Sequence, residues 1–133
     1  MVNHRCEYVA TASTAFMEDL YDKLDKAIAA SKRGFAYLHV YSPCTTGWRF
    51  PGDRNIEVAR KAVETNFVML WDYTPNDGLH FTRPVDDPEP VTEYLKTMAR
   101  FKHLSEAQID HIQRKVEENL RFVKRMAEMA DAK

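Results

Sequence analysis

The stretch Tyr41-Ser42-Pro43-Cys44-Thr45-Thr46-Gly47-Trp48 holds the side chain best suited to chemistry, the thiol of Cys44. A deprotonated thiol binds soft metal ions and iron–sulfur clusters. Pro43 stiffens the approach to it, and Gly47 lets a bulky group come close to the backbone. Trp48 can cover such a group and shut out water. A 4Fe-4S cluster normally takes four cysteines. The chain has two, Cys6 and Cys44, in no CxxC pair. On these residues alone two readings stand: Cys44 as one ligand of a shared site, and Cys44 as a small buried hydrophobe.

The other ligand-type residues carry weaker signals. Cys6 has no motif around it and reads as a buried thiol. His39 falls inside an apolar run and reads as a hydrogen-bonded core histidine. His80 reads as structural or solvent-facing, and His103 and His111 as surface residues. A zinc site from His39, Cys44 and His80 has the ligand number catalytic zinc prefers but no motif spacing. Thr45, Thr46, Gly47 and Trp48 are candidates to surround a cluster, donating backbone N–H groups to sulfur, or to form a plain structured loop.

The elements that position this loop follow from periodicity. Cys6–Ala12 favours a strand, with Ser13 and Thr14 as candidate helix caps. Phe16, Leu20, Leu24 and Ile28 then recur every four residues, one stripe of an amphipathic helix to about Lys32, ended by Gly34. Phe35–Tyr41 is apolar at nearly every position, the pattern of a strand buried on both faces of a parallel sheet. Strand, helix and strand make a βαβ unit. Ser42–Asp53 then reads as a long loop at the carboxyl end of a buried strand, where ligands of open α/β sheets usually sit.

Asp53 or Asn55 can cap the next helix, whose buried face is Ile56, Ala59, Ala62, Val63 and Phe67. Val68–Tyr73 reads as a third strand and Leu79–Thr82 as a fourth, joined by an Asn76-Asp77-Gly78 turn into a hairpin. Arg83–Pro90 is a connector and Val91 to about Arg100 a short helix. Ser105-Glu106-Ala107-Gln108 is a capping box. It opens a long helix with apolar residues at Ile109, Ile112, Val116, Leu120, Val123 and Met126. The charged residues of that helix read as its solvated face, and Met126 and Met129 as core or interface filler.

Bulk properties narrow the function. The 133 residues suggest a single domain, with residues 1–87 as an α/β part and 88–133 as a helical tail. Apolar residues make up 44% and charged residues 29%, an ordinary globular mixture. The net charge of -1, from 19 basic and 20 acidic residues, gives no basic excess for nucleic acid. No apolar run is long enough for a membrane span, and no signal-peptide pattern follows Met1. Two cysteines outside any disulfide pattern fit a reducing cytoplasm.

Several of these motifs occur together in a known family. The run FAYLHVYSPCTTGWRF, followed by Asn55-Ile56-Glu57-Val58-Ala59-Arg60-Lys61-Ala62-Val63-Glu64-Thr65, resembles the beta subunit of pyruvate-type 2-oxoacid:ferredoxin oxidoreductases. That family has a hydrophobic strand, then Ala/Ser-Pro-Cys-x-Thr-Gly-Trp, then Ile-Glu-x-Ala-Arg-x-Ala-Val-Glu-Thr. Tyr8–Ser13 and Glu18-Asp19-Leu20 resemble its approach to the same strand. The likeness is strong over residues 1–75 and looser through the C-terminal helices.

The resemblance implies the C-terminal portion of a thiamine-diphosphate-binding-type fold, α/β with a three-layer parallel-sheet core, a β-hairpin and a long C-terminal helix. It implies a 2-oxoacid oxidised with loss of carbon dioxide on thiamine diphosphate, electrons leaving through 4Fe-4S clusters to ferredoxin. Cys44 occupies the position of a ligand to the cluster nearest the thiamine. The family's other ligands belong to segments absent here. Its Gly-Asp-Gly thiamine motif is also absent, since Pro51-Gly52-Asp53-Arg54 has one glycine and stands elsewhere. Thiamine diphosphate and magnesium are therefore expected to be held by other residues, and the chain alone to be inactive. Met1 reads as a start internal to a longer frame, an artificial boundary or the first residue of a split subunit. Expected partners are the remainder of the beta subunit, further oxidoreductase subunits and, through them, ferredoxin, with self-association of the isolated chain. The competing expectation is a cofactor-free interaction domain docking through its last helix.

Overall fold

A computed structural model describes residues 1–131. Its elements are β1 (Tyr8–Ser13), α1 (Met17–Ser31), β2 (Ala36–Tyr41), α2 (Thr45–Trp48), α3 (Asn55–Glu64), β3 (Trp71–Thr74), β4 (Gly78–Phe81), α4 (Val91–Leu95) and α5 (Glu106–Asp131). The fold is α/β, with a four-stranded sheet, a hairpin and a long last helix.

The βαβ unit is present. β1 and β2 run parallel from Tyr8 opposite Ala36 to Ser13 opposite Tyr41. Tyr8 and Ala10 of β1 pack with Ala30 and Ala27 of α1. The helix begins later than its sequence caps suggest. Ser13 Oγ accepts the Ala15 N–H at 3.3 Å, so that residue closes a local turn, and Phe16 takes the cap position. Gly34 follows the helix for a different reason than a left-handed cap: a Cβ there would lie 2.8 Å from Cγ of Glu7.

The sheet order is β2-β1-β3-β4, and the parallel pairing is confined to β1 and β2. β3 enters antiparallel to β1, with Val9 opposite Tyr73 and Ala10 opposite Asp72. It is shorter than the apolar run Val68–Tyr73. The Thr11 hydroxyl donates to the Met69 carbonyl at 2.6 Å and accepts the Trp71 N–H at 3.1 Å, so a side chain takes the place of the ladder there. The β3–β4 hairpin closes at Thr74 and Gly78, where Gly78 has a φ of 82°. Such a φ suits glycine.

β2 departs from expectation. It is an edge strand among the described residues, and each of its residues is exposed or half-buried, with none buried. His39, expected in a core, is exposed. Apolar composition alone cannot report whether a strand has neighbours on both sides.

The capping box opens α5: Ser105 Oγ accepts the Gln108 N–H at 3.3 Å, and Gln108 Oε1 accepts the Ser105 N–H at 2.9 Å. The apolar stripe of α5 then joins two cores. Ile109, Ile112 and Val116 pack with Val58, Tyr94 and Met98. Leu120, Val123 and Met126 pack on the hairpin around Met69 and Leu79. Met129 is exposed. Fully burying an apolar side chain of this size contributes about 1.5–3 kcal/mol. Among the described residues, no helix is long and apolar enough to cross a membrane.

Candidate functional site

The loop after β2 is more ordered than its Pro and Gly content suggests. It contains the short helix α2 and a 3-10 turn at Gly52–Arg54. Cys44 caps α2 and is exposed. Its Sγ accepts the Gly47 N–H at 3.4 Å. A Cβ at Gly47 would lie 3.4 Å from that sulfur, so glycine keeps the sulfur's surroundings open.

The loop is fixed to the fold at three points. Pro43 is buried, and its carbonyl accepts the Asn55 side-chain amide at 3.3 Å. Asn55 thus ties the loop to the start of α3, and Arg54 takes the cap position with no side-chain cap bond. Trp48 stacks on Tyr41, with ring centroids 5.9 Å apart. The Ala99 N–H donates to the Arg49 carbonyl at 3.0 Å, which holds the far end of α2. Arg49 itself has a φ of 57°, the left-handed conformation that ends the helix.

Tyr41 links this loop to the helical core. Its hydroxyl lies 2.5 Å from that of Tyr94. Burial pushes the Tyr41 phenol well above its usual range, and the bond to Tyr94 adds to the shift. Burial likewise raises Tyr94. Both stay protonated at neutral pH and act as fixed hydrogen-bonding posts.

Four candidate residues around the sulfur therefore have distinct placements. Gly47 supplies an N–H to Cys44, and Trp48 is engaged by Tyr41. Thr45 is half-buried at the first turn of α2, and Thr46 is exposed. Sequence reasoning missed Asn55, Tyr41 and Tyr94 as supports. The Asn55 signal was present but pointed to capping, and the two tyrosines lie 53 positions apart.

The remaining ligand-type residues lie elsewhere. Cys6 is buried and its Sγ donates to the Met1 carbonyl at 3.4 Å. His80 bonds to the Asp77 carbonyl at 2.8 Å within the hairpin. Among the described residues no three His, Cys, Asp or Glu side chains gather in a way that could hold a metal ion. The residues fit a cluster in one respect, as a single exposed thiol with a donor on its sulfur. Any full set of ligands has to be completed from outside this chain.

No family model matches the chain. Similarity to curated proteins is nonetheless extensive. The chain is 78% identical over 130 residues to the NADH-dependent phenylglyoxylate dehydrogenase subunit beta of Aromatoleum evansii, covering 98% of the chain and 29% of that subunit. It is 38% identical over 130 residues to the ketoisovalerate oxidoreductase subunit VorB of Pyrococcus furiosus, covering 97% and 41%. It is 42% identical over 117 residues to the pyruvate synthase subunit PorB of Methanothermobacter marburgensis, covering 88% and 40%. The chain spans less than half the length of these relatives.

Proposed function

This chain belongs to the family of 2-oxoacid:ferredoxin oxidoreductase beta subunits, matching their C-terminal segment, and we propose that it serves such an enzyme by contributing Cys44 to a 4Fe-4S cluster. The observation that carries the proposal is the exposed Cys44 sulfur on an anchored loop, with the Gly47 N–H directed at it. Subunits of three enzymes named for different substrates match this chain, which supports a role common to the chemistry rather than to one substrate.

A 4Fe-4S cluster held in part by Cys44 would supply one-electron transfer chemistry. The work of this chain is positional. Pro43 and Asn55 hold the sulfur's backbone in place, the Gly47 N–H compensates negative charge on sulfur, and the Tyr41–Trp48 stack packs the back of α2. Thr45 and Thr46 complete the loop around the sulfur. Thiamine diphosphate and magnesium are assigned to residues outside this chain, since Gly52–Arg54 forms a plain exposed turn. The partners are the rest of the beta subunit and the other subunits, in the cytoplasm.

The substrate is a 2-oxoacid. The 78% identical relative is named for phenylglyoxylate and NADH, which favours an aromatic 2-oxoacid over pyruvate, and NADH over ferredoxin as the final electron carrier. The test is to purify the assembled enzyme containing this chain and assay phenylglyoxylate, ketoisovalerate and pyruvate with NAD or ferredoxin as acceptor. Preferential oxidation of phenylglyoxylate with reduction of NAD supports the substrate assignment. Preference for pyruvate or ketoisovalerate overturns it, and activity with none of the three overturns the enzyme assignment.

A further inference from the structure

Phe16 gathers two guanidiniums from distant parts of the chain. Cζ of Arg83 lies 4.4 Å from its ring centroid, and Cζ of Arg60 lies 5.4 Å from it. Both arginines are exposed, and Phe16 is half-buried. Among the described residues the arginines that pair with carboxylates are Arg33 and Arg54, so Arg60 and Arg83 keep their charge uncompensated. Of the two acids in the first turn of α1, Asp19 is bonded to Lys23 and Glu18 is exposed. A ring face attracts a cation without neutralising it. Two like charges held around one ring therefore make a concentrated positive spot.

The fold holds both arginines in place. Arg60 follows the fully buried Val58 and Ala59 on α3. Arg83 follows Thr82, whose N–H donates to the Leu70 carbonyl at 2.9 Å and whose hydroxyl accepts from the buried Lys23 at 2.7 Å. β4 is antiparallel to β3, and β3 to β1, so β1, β2 and β4 point their carboxyl ends the same way. Phe16, Cys44 and Arg83 thus follow three strands that end on one side of the sheet, where ligands of open α/β sheets sit. Thr14, in the turn between β1 and α1, donates its N–H to the Tyr41 carbonyl at 3.2 Å, so this turn adjoins the strand that leads to Cys44. The Thr14 hydroxyl is buried with no hydrogen-bond partner among the described residues, so the turn is short of a polar partner.

We infer that Arg60 and Arg83, stacked on Phe16, bind the oxyanion of a small ligand, a carboxylate or a phosphate group. Guanidinium forks match both geometries and donate hydrogen bonds in pairs. The ring holds the forks before a ligand arrives, which lowers the ordering cost of binding. The inference is independent of the assignment of Cys44. A carboxylate would belong to the 2-oxoacid itself and a phosphate to a phosphorylated ligand, and the same two arginines serve either.

The test uses the assembled enzyme containing this chain, with inorganic phosphate, pyrophosphate and phenylglyoxylate as probes. An arginine-specific dicarbonyl reagent, followed by peptide mapping, should modify Arg60 and Arg83 in the wild-type enzyme. A saturating probe should slow modification of both at least about tenfold. Arg60→Gln and Arg83→Gln should each weaken probe binding at least about tenfold in equilibrium dialysis, and Arg60→Lys should recover only part of the loss. Arg114→Gln, at an exposed position on α5, should leave binding unchanged. Protection by the two phosphate probes alone supports the site and identifies a phosphorylated ligand. Protection by phenylglyoxylate supports it and identifies the 2-oxoacid. Modification that no probe slows overturns the inference, as does probe binding unchanged in both glutamine variants. Resistance of both arginines to the reagent with and without probes also overturns it, since they would then be covered by another part of the enzyme.

Discussion

The hydroxyls of Tyr41 and Tyr94 meet at 2.5 Å, joining the end of β2 to α4. Through the stack of Trp48 on Tyr41, this bond supports the loop that carries Cys44. Tyr94→Phe should therefore cost about 1 kcal/mol of stability, the value of one such bond. Burial raises both phenols above their usual range. The raised pKa belongs to the folded state, so stability is complete below about pH 10 and falls as pH rises above it. An absorbance titration should show Tyr41 and Tyr94 ionising only with unfolding. Ionisation of all tyrosines at ordinary pH in the folded chain would contradict the buried pair.

The two thiols should behave differently. Cys44 is exposed and Cys6 is buried. A thiol reagent applied to the native chain, followed by peptide mapping, should modify Cys44 rapidly and Cys6 only in denaturant. Equal labelling of both would show that the N-terminal turn does not shield Cys6.

Lys23 is a buried cation with three acceptors. It donates to the Thr11 carbonyl at 2.8 Å, to Asp19 at 2.7 Å and to Thr82 at 2.7 Å, tying α1 to β1 and to the residue after β4. Lys23→Ala should destabilise by roughly 3–5 kcal/mol, since it leaves buried acceptors unpaired. Burial lowers the Lys23 pKa despite Asp19. The unfolded chain thus holds the proton more tightly, and this residue's contribution to stability increases as pH rises toward about 10. Denaturant melts of the wild type and Lys23→Met should diverge with rising pH over that window. Parallel curves would show that Lys23 is not desolvated.

The capping box gives a local prediction. Ser105→Ala removes the acceptor of the Gln108 N–H and should cost about 0.5–2 kcal/mol. Faster hydrogen exchange confined to the first turn of α5 would confirm it, and an unchanged melting curve would argue that the stripe of α5 alone holds the helix.

Much of this architecture is legible in the residues. The hairpin turn at Asn76–Gly78, the Ser105–Gln108 box and the stripe from Ile109 to Met126 depend on neighbours in sequence, and each appears where local patterning puts it. The features that were not legible depend on distant partners. β3 starts at Trp71 because the Thr11 side chain, 60 positions away, takes its N–H. Asn55 looks like a helix cap but spends its amide on Pro43. β2 reads as an interior strand, and its open edge is visible only once the strand order is known. At the site, one cysteine carries no spacing, so only the surrounding Pro-Cys-Thr-Thr-Gly-Trp run distinguished Cys44 from a packed thiol.

Iron analysis is the sharpest test of Cys44 as a cluster ligand. Iron and acid-labile sulfide should be measured in the assembled enzyme carrying either the wild-type chain or Cys44→Ala. The variant should assemble but lose about four irons and four sulfides for each copy of this chain, the content of one 4Fe-4S cluster. An assembled variant that keeps its full iron and sulfide, with an unchanged spectrum of the reduced clusters, would contradict it.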